Sequence, residues 1–482
     1  MRPPADDAFD VRCSCGEIIH TSSQHLGRTI RCRCGRAVTI ARPAEDKEPA
    51  PAFVMGRGER SRNTREPSRQ QASRSGPSFS WRPRLRLPGL SFVGLLAALE
   101  RFGVGVVQEF THRSALRRWA SRAQLLYVVT MFATWMALIT ASEEWLPATL
   151  LAYGPRLVVL IPALVVVPLG VLFARRSVLF GALGTYLALH SVMGFRFGVP
   201  WPGQWHEWAS DAGHRVGVRV VTLNAQGGAV VAPRVDQLVA LNADVLNVQE
   251  CSDVLAEEME RAGRYHVARY MNLCTASRWP FTFTDSMPRA AFERVAQYGY
   301  GGAGIVVRYG IAHPERPFHL VNLHLETPRK GLERLIDSEG LLPDDGSLPD
   351  RFPIDLGASD GVDINARIRD RESERASVWA ARDALETPLI IAGDFNMPVE
   401  STIFRRYWSV FRNAFETRGA GFGYTKIEGT LLRIRIDHVL TSRTGVRVNA
   451  ARVGPDVGSD HLPVIADLLM PALEHDRDQP PR

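Results

Sequence analysis

Between residues 123 and 195 the chain passes through three stretches without a charged side chain: AQLLYVVTMFATWMALITAS (123–142), LVVLIPALVVVPLGVLFA (157–174) and SVLFGALGTYLALHSVMGF (177–195). Each has the roughly 18 to 20 residues that a helix needs to cross a hydrocarbon core. None shows the amphipathic periodicity of a helix laid on a soluble core. Three transmembrane helices are therefore expected, with Pro162 and Pro168 tolerated in the second where neighbours or water satisfy the freed carbonyls. HRSALRRWASR precedes the first run and ARR joins the second to the third, whereas SEEW follows the first. The positive-inside rule puts both basic flanks in the cytoplasm. Three spans then leave the N-terminus cytoplasmic and everything after about Phe197 extracytoplasmic, with the tryptophans of PWPGQWHEW at the outer interface.

At 482 residues the chain is too long for one ordinary core. Its formal charge of +7 suggests nucleic acid until it is divided: residues 1–200 hold roughly 26 Lys/Arg against 13 Asp/Glu, and 201–472 roughly 30 against 35. The basic excess belongs to the N-terminal part, and the rest is unlike a domain built to neutralise duplex phosphates. The opening residues are polar, so membrane insertion is expected from the internal helices and not from a cleavable leader. VRCSCG and IRCRCG form a short repeat within residues 1–40. Cys13, Cys15, Cys32 and Cys34 are expected to deliver four thiolates to one Zn2+ in a small ribbon, although one residue, not the usual two, separates each pair. His20 and His25 are read as surface histidines. Residues 41–88 are rich in Pro, Arg, Ser and Glu and read as a disordered linker, as does the tail 473–482. Residues 89–122 form a juxtamembrane helical region, either interfacial or tertiary.

From 213 to 472 the pattern changes to short β-rich runs with polar tips: VRVVTLNAQ, ADVLNVQEC, GAGIVVRYG, FHLVNLHLET, PLIIAGDFN, LLRIRIDHVLTS and VGSDHLPVIADLL. Helical patterns such as RVDQLVALN and RASVWAARDALE lie between some of them, so an α/β domain with substantial sheets is expected. Residues 328–365, rich in Asp, Gly and Pro, read as a long surface insertion or lid. Taken singly, Asn224, Glu250, His324, Asp394, Asn396, Asp437, Asp460 and His461 are each compatible with a turn or a strand end. Together they are the inventory for holding a hard divalent cation and attacking phosphorus.

VQE, GDFN, IDHVL and SDHLPV, in this order, resemble the endonuclease/exonuclease/phosphatase family over roughly residues 215–470. The resemblance implies a four-layered α/β sandwich with its site where loops meet at one edge. It implies Mg2+ or Mn2+ on Glu250 and Asn224 with Asp460 nearby, and Asp394 handling the attacking water with Asn396 fixing the phosphate beside it. His461, hydrogen-bonded to Asp437, and His324 would contact the scissile phosphate. Gln226 stands where some nucleases of the family carry an acid, and the tyrosine and arginine contacts of abasic-site endonucleases have no clear match, Tyr300 and Arg371 being candidates for them. The expected protein is a membrane-embedded phosphoester hydrolase acting on nucleic acid, phospholipid or inositol phosphate, its ribbon recruiting a cytoplasmic partner. The alternative is a non-catalytic sensor that binds a ligand outside and signals through the ribbon. Whether Cys251 and Cys274 pair is left open.

Overall fold

A computed structural model describes residues 92–198, 215–226, 232–287, 305–333, 359–382, 387–428 and 432–473. It also describes four short strands near the N-terminus. The chain divides into two compact units, 1–86 and 87–482. In the first, β1 (Ala8–Arg12) pairs antiparallel with β2 (Ile18–Ser22), and β3 (Thr29–Arg31) with β4 (Ala37–Thr39). Cys13, Cys15, Cys32 and Cys34, with the linker 41–88 and Tyr300, lie outside the described residues.

The second unit begins with helices α1 (Phe92–Phe110), α2 (Ala115–Ala141), α3 (Leu146–Tyr153), α4 (Ala163–Phe173) and α5 (Val178–Tyr186). A 3-10 turn, Arg156–Leu160, leads into α4, and α5 continues as a π-turn through Leu187–Val192. Two helical stretches, Ala115–Ala141 and Arg156–Phe173, are long and apolar enough to cross a membrane; Val178–Val192 is a shorter apolar helix. β5 (Arg196–Phe197) closes this module against a later strand, β15 (Ala420–Gly421).

Among the described residues the rest is built on two six-stranded sheets. The first runs β19 (Arg447–Val453), β20 (Val464–Pro471), β6 (Arg215–Asn224), β7 (Val245–Gln249), β9 (Leu273–Ser277), β8 (His266–Tyr270). The second runs β10 (Phe281–Met287), β11 (Ile305–Ile311), β12 (Phe318–His324), β13 (Leu389–Asp394), β18 (Asp437–Thr441), β14 (Arg412–Asn413). A small hairpin, β16 (Lys426–Glu428) and β17 (Leu432–Ile434), stands beside them. β6 with β7 and β12 with β13 are parallel pairs. Strands of this kind are buried on both faces, which is why LIIAGD and VLNVQ read as continuous apolar runs.

Period two sorts each strand into faces. Val218, Val220 and Val245 meet Leu320, Ile390 and Val439 between the sheets. Val221, Leu223, Leu246 and Val248 face outward under α6 (Ala232–Ala240) and α7 (Asp253–Arg261). Val321, Leu323, Leu389 and Ile391 face outward under α9 (Ser359–Ala380) and α10 (Thr402–Tyr407), whose Trp379 and Phe404 cover them. A short α8 (Arg329–Glu333) precedes α9, and α11 (Ala414–Arg418) follows β14. Ser252 caps α7 by accepting a 3.2 Å hydrogen bond from the Leu255 N–H. The stretch 328–365 is not wholly loop, because α9 begins at Ser359, well before the RASVWAARDALE pattern. Buried Val362, Ala366, Arg369 and Ser373 show helical spacing that its Asp and Gly content disguises.

Further along the inward rows the apolar residues give way to amides and hydroxyls, all fully buried: Thr222, Asn247, Gln249, Thr275 and Asn322. Asn247 Nδ2 crosses to the other sheet, donating to Val321 O (3.1 Å) and Ala392 O (3.0 Å). Gln249 Nε2 donates to Asn322 Oδ1 (2.7 Å), and Asn322 Nδ2 donates back to Cys274 O (2.9 Å). Because each amide is satisfied only in one relative placement of the sheets, the network fixes their registration. Asn247→Ala removes the acceptor of the Thr275 O–H and two cross-sheet hydrogen bonds. Thermal unfolding of the chain should report a loss of about 2–4 kcal/mol.

Candidate active site

The inward rows end in charge. His324, Asp394 and Asp437 are register partners side by side on β12, β13 and β18. Opposite them, Asn224 ends β6 and Glu250 follows β7. Gly393 allows the tight packing behind this row: a Cβ there would lie 2.0 Å from Leu323 O. Gln226, Glu250 and Asn396 all adopt left-handed backbone, at φ +50°, +49° and +52°. Three non-glycine residues in that costly region at one crevice mark conformations that the surrounding structure enforces.

Asn224 joins the two sheets at the crevice. Its Nδ2 donates to Glu250 Oε1 (3.1 Å) and Asp394 Oδ2 (3.0 Å), while its Oδ1 accepts from the Gln226 N–H (3.0 Å). Asp394 Oδ1 accepts from the Asn396 N–H at 2.8 Å, the Asx turn expected of GDFN. Asn396 Nδ2 is committed to Leu325 O (2.8 Å). His461 Nδ1 lies 2.8 Å from Asp437 Oδ2, which leaves its Nε2 toward Asp394 Oδ2, 4.0 Å away. His324 Nε2 is 3.7 Å from Asp394 Oδ2 and 3.9 Å from Glu250 Oε1. Asp460 is held by Lys426, with its other oxygen 3.9 Å from His461 Nε2. Its backbone N–H donates to Gln226 Oε1 (3.3 Å), so Asp460 stands between His461 and the Asn224 strand end. Arg371, exposed on α9, lines a cleft with Glu144, Asp370 and Arg406 and does not join the crevice.

The carboxylates are tuned apart. Burial and then the charge of Asp437 push the Asp394 carboxyl upward, against the lowering effect of His461, His324 and Asn224. For Asp437 burial alone would do the same, but the charge and hydrogen bond of His461, with Thr425, hold it below the ordinary range. His461 is correspondingly raised: burial lowers it, and Asp437 and then Asp394 outweigh burial. Ligand atoms of Asp394, Asp437 and His461 lie within 4.8 Å of one another. Since His461 Nδ1 and Asp437 Oδ2 already bond each other, this trio is better suited to holding protons than to chelation. Glu250, with a side chain 38% exposed and acceptor oxygens only, is the available hard ligand.

Several contributors were invisible in the sequence. Thr425 Oγ1 accepts from the Ile436 and Asp437 N–H groups (3.1 and 3.2 Å) and steadies that strand end. Lys426 pairs through its backbone with His461 and through its ammonium with Asp460. Cys251, next to Glu250, forms a disulfide with Cys274, their Cα atoms 5.8 Å apart. Beside Asp437, the imidazole of His438 is locked between Asn413 Nδ2 (3.2 Å) and Met397 O (3.0 Å).

The endonuclease/exonuclease/phosphatase family model matches residues 221–461, half of the chain, and the chain belongs to that family. The family's usual activity is hydrolysis of phosphoester bonds. Similar solved structures include a family member from Bacteroides thetaiotaomicron (14% identity, 53% of this chain and 99% of that one, TM-score 0.36). Truncated Caenorhabditis elegans TDP2 (15%, 53% and 97%, 0.37) and the human Nocturnin catalytic domain with bound sulfate (14%, 53% and 97%, 0.35) are others. No curated protein matches the chain.

Burial, then the charge of Arg435, pushes His438 down to about 4. A histidine depressed in the folded state contributes stability that is full above its unfolded value of about 6.5 and lost as pH falls toward about 4, here about 3 kcal/mol. His438→Gln, which keeps a donor for Met397 and an acceptor for Asn413, should flatten the fall in melting temperature across that window.

Proposed function

We propose that this protein is a membrane-anchored, Mg2+-dependent phosphoesterase whose catalytic domain lies outside the cytoplasm. The observation that carries the chemistry is the row His324, Asp394, Asp437 facing Asn224 and Glu250, with Asp394 and Asp437 shifted in opposite directions. Divergent environments for neighbouring carboxylates are how one site holds a base and a spectator anion together.

Glu250 fits a hard cation, its side chain 38% exposed and its oxygens acceptors only, and Asn224 would join it by turning toward the ion the Oδ1 that now accepts from the Gln226 N–H. Bound there, Mg2+ would neutralise phosphoryl charge and lower the acidity barrier of water. Asp394, raised by burial, accepts the proton of the attacking water, and its Asx turn with Asn396 fixes the carboxylate's direction. Asp437 holds the His461 ring so that a protonated Nε2 donates to the phosphoryl oxygen as its charge grows. His324, beside Asp394 in the same row, supplies a second donor.

Membrane anchoring is supported by exposure. Only 28% and 22% of the most apolar windows of Ala115–Ala141 and Arg156–Phe173 are buried, too little for core helices of a soluble fold. Leu126, Leu164, Val165 and Leu172 are among the bare apolar side chains. Glu143 and Arg156 bond the phosphoesterase-like domain, and Val192 shares a hydrophobic cluster with its Ile434 and Ile436. Arg113, Arg117, Arg118, Arg122, Arg175 and Arg176 belong to the opposite helix ends, consistent with a cytoplasmic face there. The disulfide accords with an oxidising compartment. In the cytoplasm, Zn2+ on Cys13, Cys15, Cys32 and Cys34 would order a ribbon for a protein partner.

The full chain in detergent should hydrolyse at least one of plasmid DNA, abasic oligonucleotide, sphingomyelin, phosphoinositide or a bis-aryl phosphate. That turnover should vanish with EDTA and fall at least about a hundredfold in Asp394→Ala. Metal-independent turnover, or none on any substrate, removes the enzymatic reading.

A further inference from the structure

The loops carrying Asp394 and Asp437 are not supported by the sandwich alone. Glu400, four residues after Asn396, is buried and accepts from Arg156 Nη1 at 2.9 Å. The same guanidinium ties the helical module together, donating to Val192 O (2.9 Å), Ala152 O (2.7 Å) and Leu151 O (3.3 Å). One residue further, Ser401 Oγ donates to Glu143 (2.6 Å), which is itself paired with buried Arg369 and accepts from Tyr153 OH (2.6 Å). Thr402 N–H donates to Ser142 Oγ at 2.9 Å. On the Asp437 side, Ile434 and Ile436 share a hydrophobic core with Tyr127, Met131, Leu138, Val192 and Met193 of the helices. Arg435 between them bonds Phe422 O (3.1 Å) and pairs with Glu416, the partner of Arg196 at the end of the module. Phe395 N–H donates to Ile436 O at 3.0 Å, which bonds the two loops to each other.

Nothing comparable reaches the other wall. Asn224 and Glu250 make no hydrogen bond or ion pair to the module among the described residues.

We infer that the helical module is a positioning element for one half of the active site: Arg156, through Glu400, sets the Asp394 and Asp437 loops, and the Glu250 and Asn224 wall is held by the sandwich. This rests on the hydrolytic reading above. Arg156 and Glu400 touch no reacting atom; they act through the loops they hold. A detached module would leave the wall that binds cation in place and displace the residues that handle water and phosphoryl charge, and small displacements of such groups are costly in rate.

The test uses the full chain in nanodiscs, with Mg2+ and a bis-aryl phosphate, comparing Arg156→Met, Arg156→Lys and Glu400→Gln. Arg156→Met should lower kcat about tenfold or more while the Mg2+ concentration for half-maximal rate changes less than about twofold. Arg156→Lys, which keeps the charge, should recover much of the loss. Amide hydrogen exchange should quicken over 389–401 and 432–441 and stay unchanged over 215–226 and 245–250. If Arg156→Met does not accumulate folded, Glu400→Gln must show the same split. Equal exchange changes in both walls, a parallel shift in Mg2+ requirement, or no change in any variant overturns the inference. An inactive wild-type chain would sink the hydrolytic reading instead, and the exchange contrast would still decide the positioning.

Discussion

Everything at the crevice depends on the buried amides that lock one sheet to the other. A sandwich held only by Val, Ile and Leu can slide, because apolar contact is non-directional. Asn247, reaching from β7 to the backbones of β12 and β13, cannot be satisfied after a slip. An unsatisfied buried amide is expensive, so the geometry is narrow. The consequence lies two residues along each strand, where Asn224 comes within 3.0 Å of Asp394 across the joint. The same inward face thus grades from oil to amide to charge, and the crevice is the open end of the core.

The second dependence is on the helices. The sandwich and the helical module form one compact unit, sharing a hydrophobic cluster and two buried charge networks. Removing one member of a buried pair leaves an uncompensated charge, so a catalytic domain cut away near residue 205 would carry Arg369, Glu400, Ile434 and Ile436 without their partners. The helices and the crevice are in this sense one structural problem.

The strand ends were legible because period two and the jump from apolar to polar residues are local signals. VLNVQE, LIIAGDFN and SDHLPV announced both strand and tip, and the structure brings Asn224, Glu250, His324, Asp394, Asn396, Asp437 and His461 to one crevice. Asp460 is there too, paired with Lys426 and bonded through its N–H to Gln226. Long-range pairs were not legible: Arg156 and Glu400 are 244 residues apart and carry no shared pattern. An arginine at the edge of an apolar run was their only trace. The start of α9 was hidden for a different reason, since Asp and Gly in its first turns mimic a loop while its buried side keeps helical spacing. The pairing of Cys251 with Cys274 required the adjacency of β7 and β9, which no spacing reveals.

The most direct test of the central claim, that the two sheets assemble one hydrolytic crevice, is the fate of the attacking oxygen. Turnover of a bis-aryl phosphate by the full chain in oxygen-18 water should place one labelled oxygen on the aryl phosphate product, in a reaction that requires divalent cation. Label on the released phenol, or labelled phosphate formed equally well with the cation chelated, would contradict the account.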